Sequence, residues 1–430
     1  MLANSTSALA TPAAPSAALA RRAYLQLVVC FALFSAAHTI HEVNLSNYLH
    51  EHFNVGAWFR GFLELPRESQ GFAVAFYIVL FGGFTERRIF QIAAVAAAVG
   101  LVGLSFLPAG TIADDLSGIG PGLPLILVVM LFSAGMHLVG LIEQIIIIDH
   151  GDLRSAGRRL GEVGFWRTAA MLVGAGAVWL LRRTISVSFE DMFLLAAAIA
   201  LLSAVVMGRA MRGLPGVRPL PRRMVVNRKF ARYYVLSALF GIRKQVFITF
   251  GVWVLIRVYG QPVETVAVLW VANAVASLIT QPLVGRLIDR FGPRAVLTVD
   301  ALILVAVCLL YGYSSRLFAP GIALVVVGIT YVVDHMLFFV GSARAVYVGR
   351  LASNSDELAA TLSVGVTIDH VFSMSIPLVG GIIWNAFGHE WVFAMAGLFA
   401  LVIAGVALGL PPRAAESESL PAPTPAQSGS

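Results

Sequence analysis

Charge is the scarcest property of this chain: only 12% of its 430 residues are Asp, Glu, Lys or Arg. A soluble domain carries about 25%, so there is too little polar surface here to cover a globule, and the solvent must be lipid. Hydrophobic residues make up 58% of the chain and the mean hydropathy is +0.84. Cysteine is nearly absent. Cys30 and Cys308 are the only two, and both sit in apolar runs, which excludes a disulfide framework and a thiolate metal site. No Gly-x-Ser-x-Gly elbow and no phosphate loop is present. His38-x-x-His41-Glu42 departs from the His-Glu-x-x-His of zinc protease helices. No enzyme, cofactor or bound metal is therefore expected. The net charge of +7 and pI near 9.7 would suit nucleic acid. Yet the basic residues lie in short segments between apolar runs, as cytoplasmic loops do, and no nucleic-acid partner is expected.

What is present is a succession of apolar runs. A span needs about 20 mostly apolar residues. Such runs fall near 23–45, 56–84, 88–107, 123–148, 161–182 and 190–211, then near 233–257, 264–288, 295–314, 320–348, 359–385 and 391–410. Glu64-Leu65-Pro66-Arg67-Glu68 makes the second the weakest of the twelve. With the N-terminus inside, most of the 30 Lys and Arg fall on the cytoplasmic side, leaving Arg60, Arg67, Arg182, Arg183, Arg257 and Arg316 outside. Both termini are thus expected in the cytoplasm. The expected organisation is a disordered tail at 1–22, a six-helix bundle at 23–211, a basic linker at 212–232, a second bundle at 233–410 and a disordered tail at 411–430.

The two halves resemble each other. Phe81-Gly82-Gly83-Phe84-Thr85-Glu86-Arg87-Arg88 aligns with Val284-Gly285-Arg286-Leu287-Ile288-Asp289-Arg290-Phe291, and Val163–Thr168 aligns with Val364–Asp369 at nearly the same offset. Duplication of a multi-helix unit is the signature of secondary transporters. Gly285-Arg286-Leu287-Ile288-Asp289-Arg290-Phe291-Gly292-Pro293-Arg294 resembles the loop motif of the major facilitator superfamily, Gly-x-Leu-x-Asp-Arg-x-Gly-Arg-Lys/Arg. That resemblance covers roughly residues 23–410. It implies an all-α membrane protein with twelve transmembrane helices in two pseudo-symmetric six-helix bundles. It also implies a conformational latch, made here by Gly285, Asp289, Arg290 and Arg294, with Glu86 and Arg87 in the first-half copy. The first copy departs from the motif, with Glu86 in place of aspartate and the later glycine missing.

Ionisable groups inside spans cost about 3 kcal/mol or more unless they face a partner or a cavity. The first span holds His38, His41 and Glu42, and the seventh holds Arg243 and Lys244. The fourth holds His137 and Glu143, the fifth Arg167, the tenth Asp334 and His335, and the eleventh Asp369 and His370. In the family just named, spans 1, 4, 7 and 10 line a central cavity and 2, 5, 8 and 11 flank it. The expected function is proton-coupled alternating access for a small charged organic solute. A carboxylate that meets Arg243 or Lys244 in one state and loses that partner in the other binds and releases a proton. Glu42, Asp369 and Asp334 are the candidates for this proton coupling, with His41, His335 and His370 as relays. Arg167, Arg243, Lys244 and His137 are the substrate-binding candidates, with Trp166 and Phe247 as aromatic walls. The alternatives are divalent-metal transport, because imidazole and carboxylate ligands are plentiful, and proton-driven drug export. The expected partners are the substrate, protons and the bilayer of the inner (plasma) membrane, with the chain acting as a monomer.

Overall fold

Alanine and glycine decide how the helices meet. In α3 (Glu86–Phe106), Ala93, Ala94, Ala97, Ala98 and Gly100 are buried at helical spacing; in α6 (Phe189–Ala210), so are Ala196, Ala197, Ala200 and Ala204. Small residues let backbones approach where no hydrophobic force drives helices together in lipid. The opposite faces, Ile92, Val95 and Val99 on α3 and Leu201, Leu202 and Val205 on α6, are exposed and suit acyl chains.

The computed structural model describes residues 17–149, 156–212 and 226–411. Most of the expected tails and most of the expected linker lie outside these. α1 (Ala17–Phe53) starts within the expected N-terminal tail, ahead of position 23. α2 (Ala57–Leu80), α4 (Leu123–Asp149) and α5 (Ala156–Ile185) complete the first bundle. There α1 packs on α5 and α6, α3 on α4 and α6, and α2 on α4.

The second bundle begins with α7 (Ala231–Val246), a π-helical turn at Phe247–Gly251 and α8 (Val252–Arg257). The wide turn frees backbone carbonyls, and Tyr311 Oη donates to that of Gly251 at 2.6 Å. α9 (Val263–Leu317) runs 55 residues, about 80 Å at 1.5 Å per residue, far more than one crossing. It breaks at Gly292 (φ 80°), a conformation that glycine adopts without strain, and Pro293 starts the second arm. The expected loop at the motif is thus a break centred on Gly292, with Gly285 inside the helix. α10 (Pro320–Leu337) continues through a 3₁₀ turn into α11 (Ser342–Leu351), followed by α12 (Ser355–Phe387) and α13 (His389–Leu408).

Ten of these helical stretches are long and apolar enough to cross a membrane. Counting the two arms of α9 separately and adding the charged α2 gives the twelve crossings of a multi-pass, all-α protein. The bundles touch mainly through α2 against α12 and α5 against α9, pairs that exchange under the repeat. One core runs through both bundles, whereas Phe230, Tyr233, Ile288, Tyr347 and Leu410 form a separate core confined to the second. The bundles are therefore fused toward the Phe53 end and separate at the other.

The seal rests on backbone contact. A Cβ at Gly61 would collide with the carbonyl oxygen of Pro377, and one at Gly381 would meet Ala57 and Trp58. Gly61→Val is expected to wedge α2 from α12 at a cost of about 1–3 kcal/mol. A cysteine at Ala57, buried at this contact against Gly381, should then react with a thiol reagent at least about fivefold faster than in the Gly61 background. Equal labelling rates would show that the seal does not depend on this approach. Cys30 and Cys308 are fully buried and supply little background.

Candidate functional site

α2 brings its charges to one side. Arg60, Glu64, Arg67 and Glu68 recur at three- and four-residue spacing, so they share a helical face, and all four are buried. Arg60 pairs with Glu64, and Arg67 Nη1 lies 3.0 Å from Glu64 Oε1. Arg67 Nη2 reaches across to Glu42 Oε1 on α1 at 2.5 Å. That oxygen is also 3.1 Å from His41 Nδ1 and 3.6 Å from His38 Nε2, as the spacing along α1 allows. The network then crosses between bundles, where Gln245 Nε2 of α7 donates to Glu64 Oε2 at 3.0 Å.

α7 supplies two cations that part company because successive helical residues point about 100° apart. Arg243 turns to α10 and lies 3.3 Å from Asp334 Oδ1, with both side chains sealed from solvent. Phe338 stacks beneath its guanidinium at 4.9 Å. Lys244 turns to α12 and bonds Asp369 Oδ1 at 2.9 Å, and Ser373 Oγ donates to the same oxygen at 3.0 Å. The side chains of Lys244 and Asp369 keep 21% and 16% exposure, so this pair borders open space where Arg243–Asp334 does not.

A third group also joins the bundles. Glu68 Oε2 of α2 lies 3.6 Å from His370 Nδ1 of α12, and the His370 ring meets that of His137 edge to face at 5.2 Å. Gly71 makes room for both imidazoles, since a Cβ there would strike each of them. His137 Nε2 is buried with no hydrogen-bond partner.

The remaining candidates lie elsewhere. Arg167 pairs with Glu143 at 3.1 Å and donates to Ser35 Oγ at 3.1 Å, a contact among α1, α4 and α5 that is separate from the α7 cations. Trp166 is half exposed against Phe165. Phe247 is fully buried between Tyr311 and Phe393, so it packs the second bundle and walls no pocket. His335 bonds the Tyr331 carbonyl at 3.2 Å. Asp289 and Arg290 are exposed and Arg294 is partly buried, while Glu86 is buried in the first turn of α3. Arg87 lines a basic cavity with Arg209 and Arg212.

Three expectations need correcting. The cations on α5 and α7 do not form one substrate cluster, because each already holds its own carboxylate. Glu42 meets Arg67 rather than Arg243 or Lys244. Arg60 and Arg67, counted as outer-loop charges, are buried in α2. The sequence reading missed Glu64, Glu68, Arg67 and Gln245 as site residues. The i, i+4, i+7, i+8 pattern from Arg60 to Glu68 was the available signal, obscured by Pro66, which reads as a break but is carried inside α2.

Toward the Phe53 end further polar contacts tie the bundles. Asn47 Nδ2 donates to the Gln261 carbonyl at 3.2 Å, Arg257 Nη1 lies 3.1 Å from His50 Nδ1, and Asn385 Nδ2 donates to Asp114 Oδ2 at 2.7 Å. The site therefore sits at mid-depth beneath a closed end.

No protein-family model matches the chain, and no curated protein sequence matches it. Solved structures do. The crystal structure of the nucleoside transporter NupG superposes with a TM-score of 0.70 at 13% identity, covering 90% of this chain and 98% of that one. A D-xylose–proton symporter gives 0.70 at 14% identity, covering 91% and 98%. A bacterial homologue of the human lysosomal transporter Spinster, in an inward-facing, occupied conformation, gives 0.68 at 13% identity, covering 94% and 98%. At such identities the likeness is one of fold, and with twelve helices in two related bundles the chain has the major facilitator superfamily fold.

Proposed function

We propose that the chain is a secondary active transporter that moves a small charged organic solute by proton-coupled alternating access. One observation carries this reading: charged and polar groups from the two bundles meet at mid-depth, Glu64 with Gln245 and Glu68 with His370. A static bundle would gain nothing from placing such groups at its least polar level, where each costs about 3 kcal/mol. A protein whose bundles rock about that level needs polar groups that can exchange partners with solute and water.

Lys244 and Asp369 are the exchange point. They are paired, partly exposed, and carried on α7 and α12. An anionic or zwitterionic substrate group takes Lys244, and Asp369 is left without its cation. Protons are taken up and released wherever a carboxylate loses and regains such a partner. Glu42 with His38 and His41, and Glu68 with His370 and His137, provide neighbouring proton-carrying groups. Arg243 and Asp334 are sealed from solvent in this state, so they act as an internal brace here. Proton coupling operates on this fold in the D-xylose–proton symporter.

The distribution of Lys and Arg supports cytoplasmic termini in an inner (plasma) membrane. The sealed end is then extracellular and the conformation inward-facing. Among the described residues no three His, Cys, Asp or Glu converge as metal ligands, so the geometry gives the metal reading no support.

The test uses purified protein in proteoliposomes, with a substrate first identified by thermal shift across metabolites and pH, since a ligand of the folded state raises Tm. Asp369→Asn is expected to keep substrate binding within about tenfold and to lose at least about a hundredfold in accumulation driven by a pH gradient. Substrate-driven proton movement at the unaltered rate in Asp369→Asn would remove this residue from the mechanism.

A further inference from the structure

α3 and α6 lie side by side, and each changes character at the same end. On α6 the exposed residues run Leu201, Leu202 and Val205, then Arg209, with Arg212 in the turn just past its end; on α3 they run Val99, Val95 and Ile92, then Arg88 and the partly exposed Arg87. Positions three and four apart share a helical face, so two adjacent apolar stripes end together in arginines. Between those ends is a cavity of about 380 Å³ lined by Arg87, Gln91, Val205, Gly208, Arg209 and Arg212.

Three features mark this cavity as built for an anion with an apolar tail. Its lining holds three arginines and no acid, and the neighbouring Glu86 is buried outside it. Gln91 forms the inner wall, where Nε2 donates to the Ala204 carbonyl at 3.1 Å. Gly208 lies against it, and a Cβ there would approach that nitrogen to 2.7 Å. Val205, in the same lining, continues directly into the Leu201–Leu202 stripe. A free phosphate would use the arginines and ignore the stripe, whereas a phospholipid uses both.

We propose that this cavity binds the phosphate headgroup of an anionic phospholipid whose acyl chains lie along the exposed stripes of α3 and α6. The site lies apart from the mid-depth network and does not rest on the transport reading. Basic residues at a membrane surface contribute about 1 kcal/mol each toward anionic lipid, about fivefold in affinity per arginine.

The experiment measures the Tm of the full chain in neutral detergent, titrated with phosphatidylglycerol, phosphatidylcholine or inorganic phosphate. Phosphatidylglycerol is expected to raise Tm, and the other two at equal concentration to leave it in place. Arg87→Gln/Arg209→Gln/Arg212→Gln should require about a hundredfold more phosphatidylglycerol for the same shift, and Arg183→Gln, exposed in the last turn of α5 at the opposite end of the bundle, should behave as the parent. If the triple variant does not fold, Arg209→Gln alone is measured, with about a fivefold weakening expected. Equal stabilisation by phosphatidylcholine or by phosphate, an unweakened triple or Arg209→Gln variant, or an Arg183→Gln variant as impaired as the triple would each overturn the proposal.

Discussion

Glu64→Gln is expected to lose about 3–5 kcal/mol of stability. Glu64 is fully buried and partners Arg60, Arg67 and Gln245. Neutralising it leaves one guanidinium, that of Arg60, with no carboxylate, and the other sharing only Glu42. The Nε atoms of both arginines already lack partners, so there is no spare acceptor to absorb the loss. Gln245 would also face an amide where it now donates to a carboxylate, which weakens the link between bundles. Unfolding in mixed micelles, followed by tryptophan fluorescence, reads the effect. A loss below about 1 kcal/mol, the size of an exposed ion pair, would mean that water reaches this network and that it is not the buried centre described here.

The Arg243–Asp334 pair supports a second prediction, in which the double variant matters more than either single one. Arg243→Met alone leaves Asp334 charged and sealed, at a cost of about 3–5 kcal/mol. Yet the pair itself is poorly satisfied: Arg243 Nε and Nη1 and Asp334 Oδ2 have no hydrogen-bond partners. Replacing a buried pair by apolar side chains of similar volume is often neutral, or stabilising by about 1–4 kcal/mol. Arg243→Met/Asp334→Leu is therefore expected to restore parental stability, while transport in proteoliposomes stays absent. If the double variant is as unstable as the two single losses combined, the pair holds the fold together and needs no role in transport to explain it. If it transports normally, the pair is outside the mechanism.

Both predictions concern residues that the sequence presented unequally. Arg243 and Asp334 stood out because each interrupts a long apolar run, and a charge in such a run is conspicuous wherever its partner lies. Glu64, Arg67 and Glu68 did not. Four charges and a proline within one helix look like the edge of a span, and Arg67 was accordingly assigned to an outer loop. The structure keeps them inside because Glu42 on α1 and Gln245 on α7 complete the network, and neither partner can be inferred from α2. Phe247 erred the other way, since an aromatic near a charge cluster suggests a pocket wall. The π-helical turn rotates it instead into the packing against Tyr311 and Phe393.

Lipid as solvent, twelve crossings and a duplicated architecture were all determined by the chain read alone. They depend on sums over neighbouring residues: about 20 apolar positions make a span, and two short matches at nearly one offset across the halves point to the duplication. Tertiary structure alone decided which charge meets which. Glu64 and Gln245 are 181 residues apart and Arg243 and Asp334 are 91 apart. Their pairing follows from the depth and rotation at which separate helices pack, and ångström-scale geometry of that kind leaves no trace in local hydropathy.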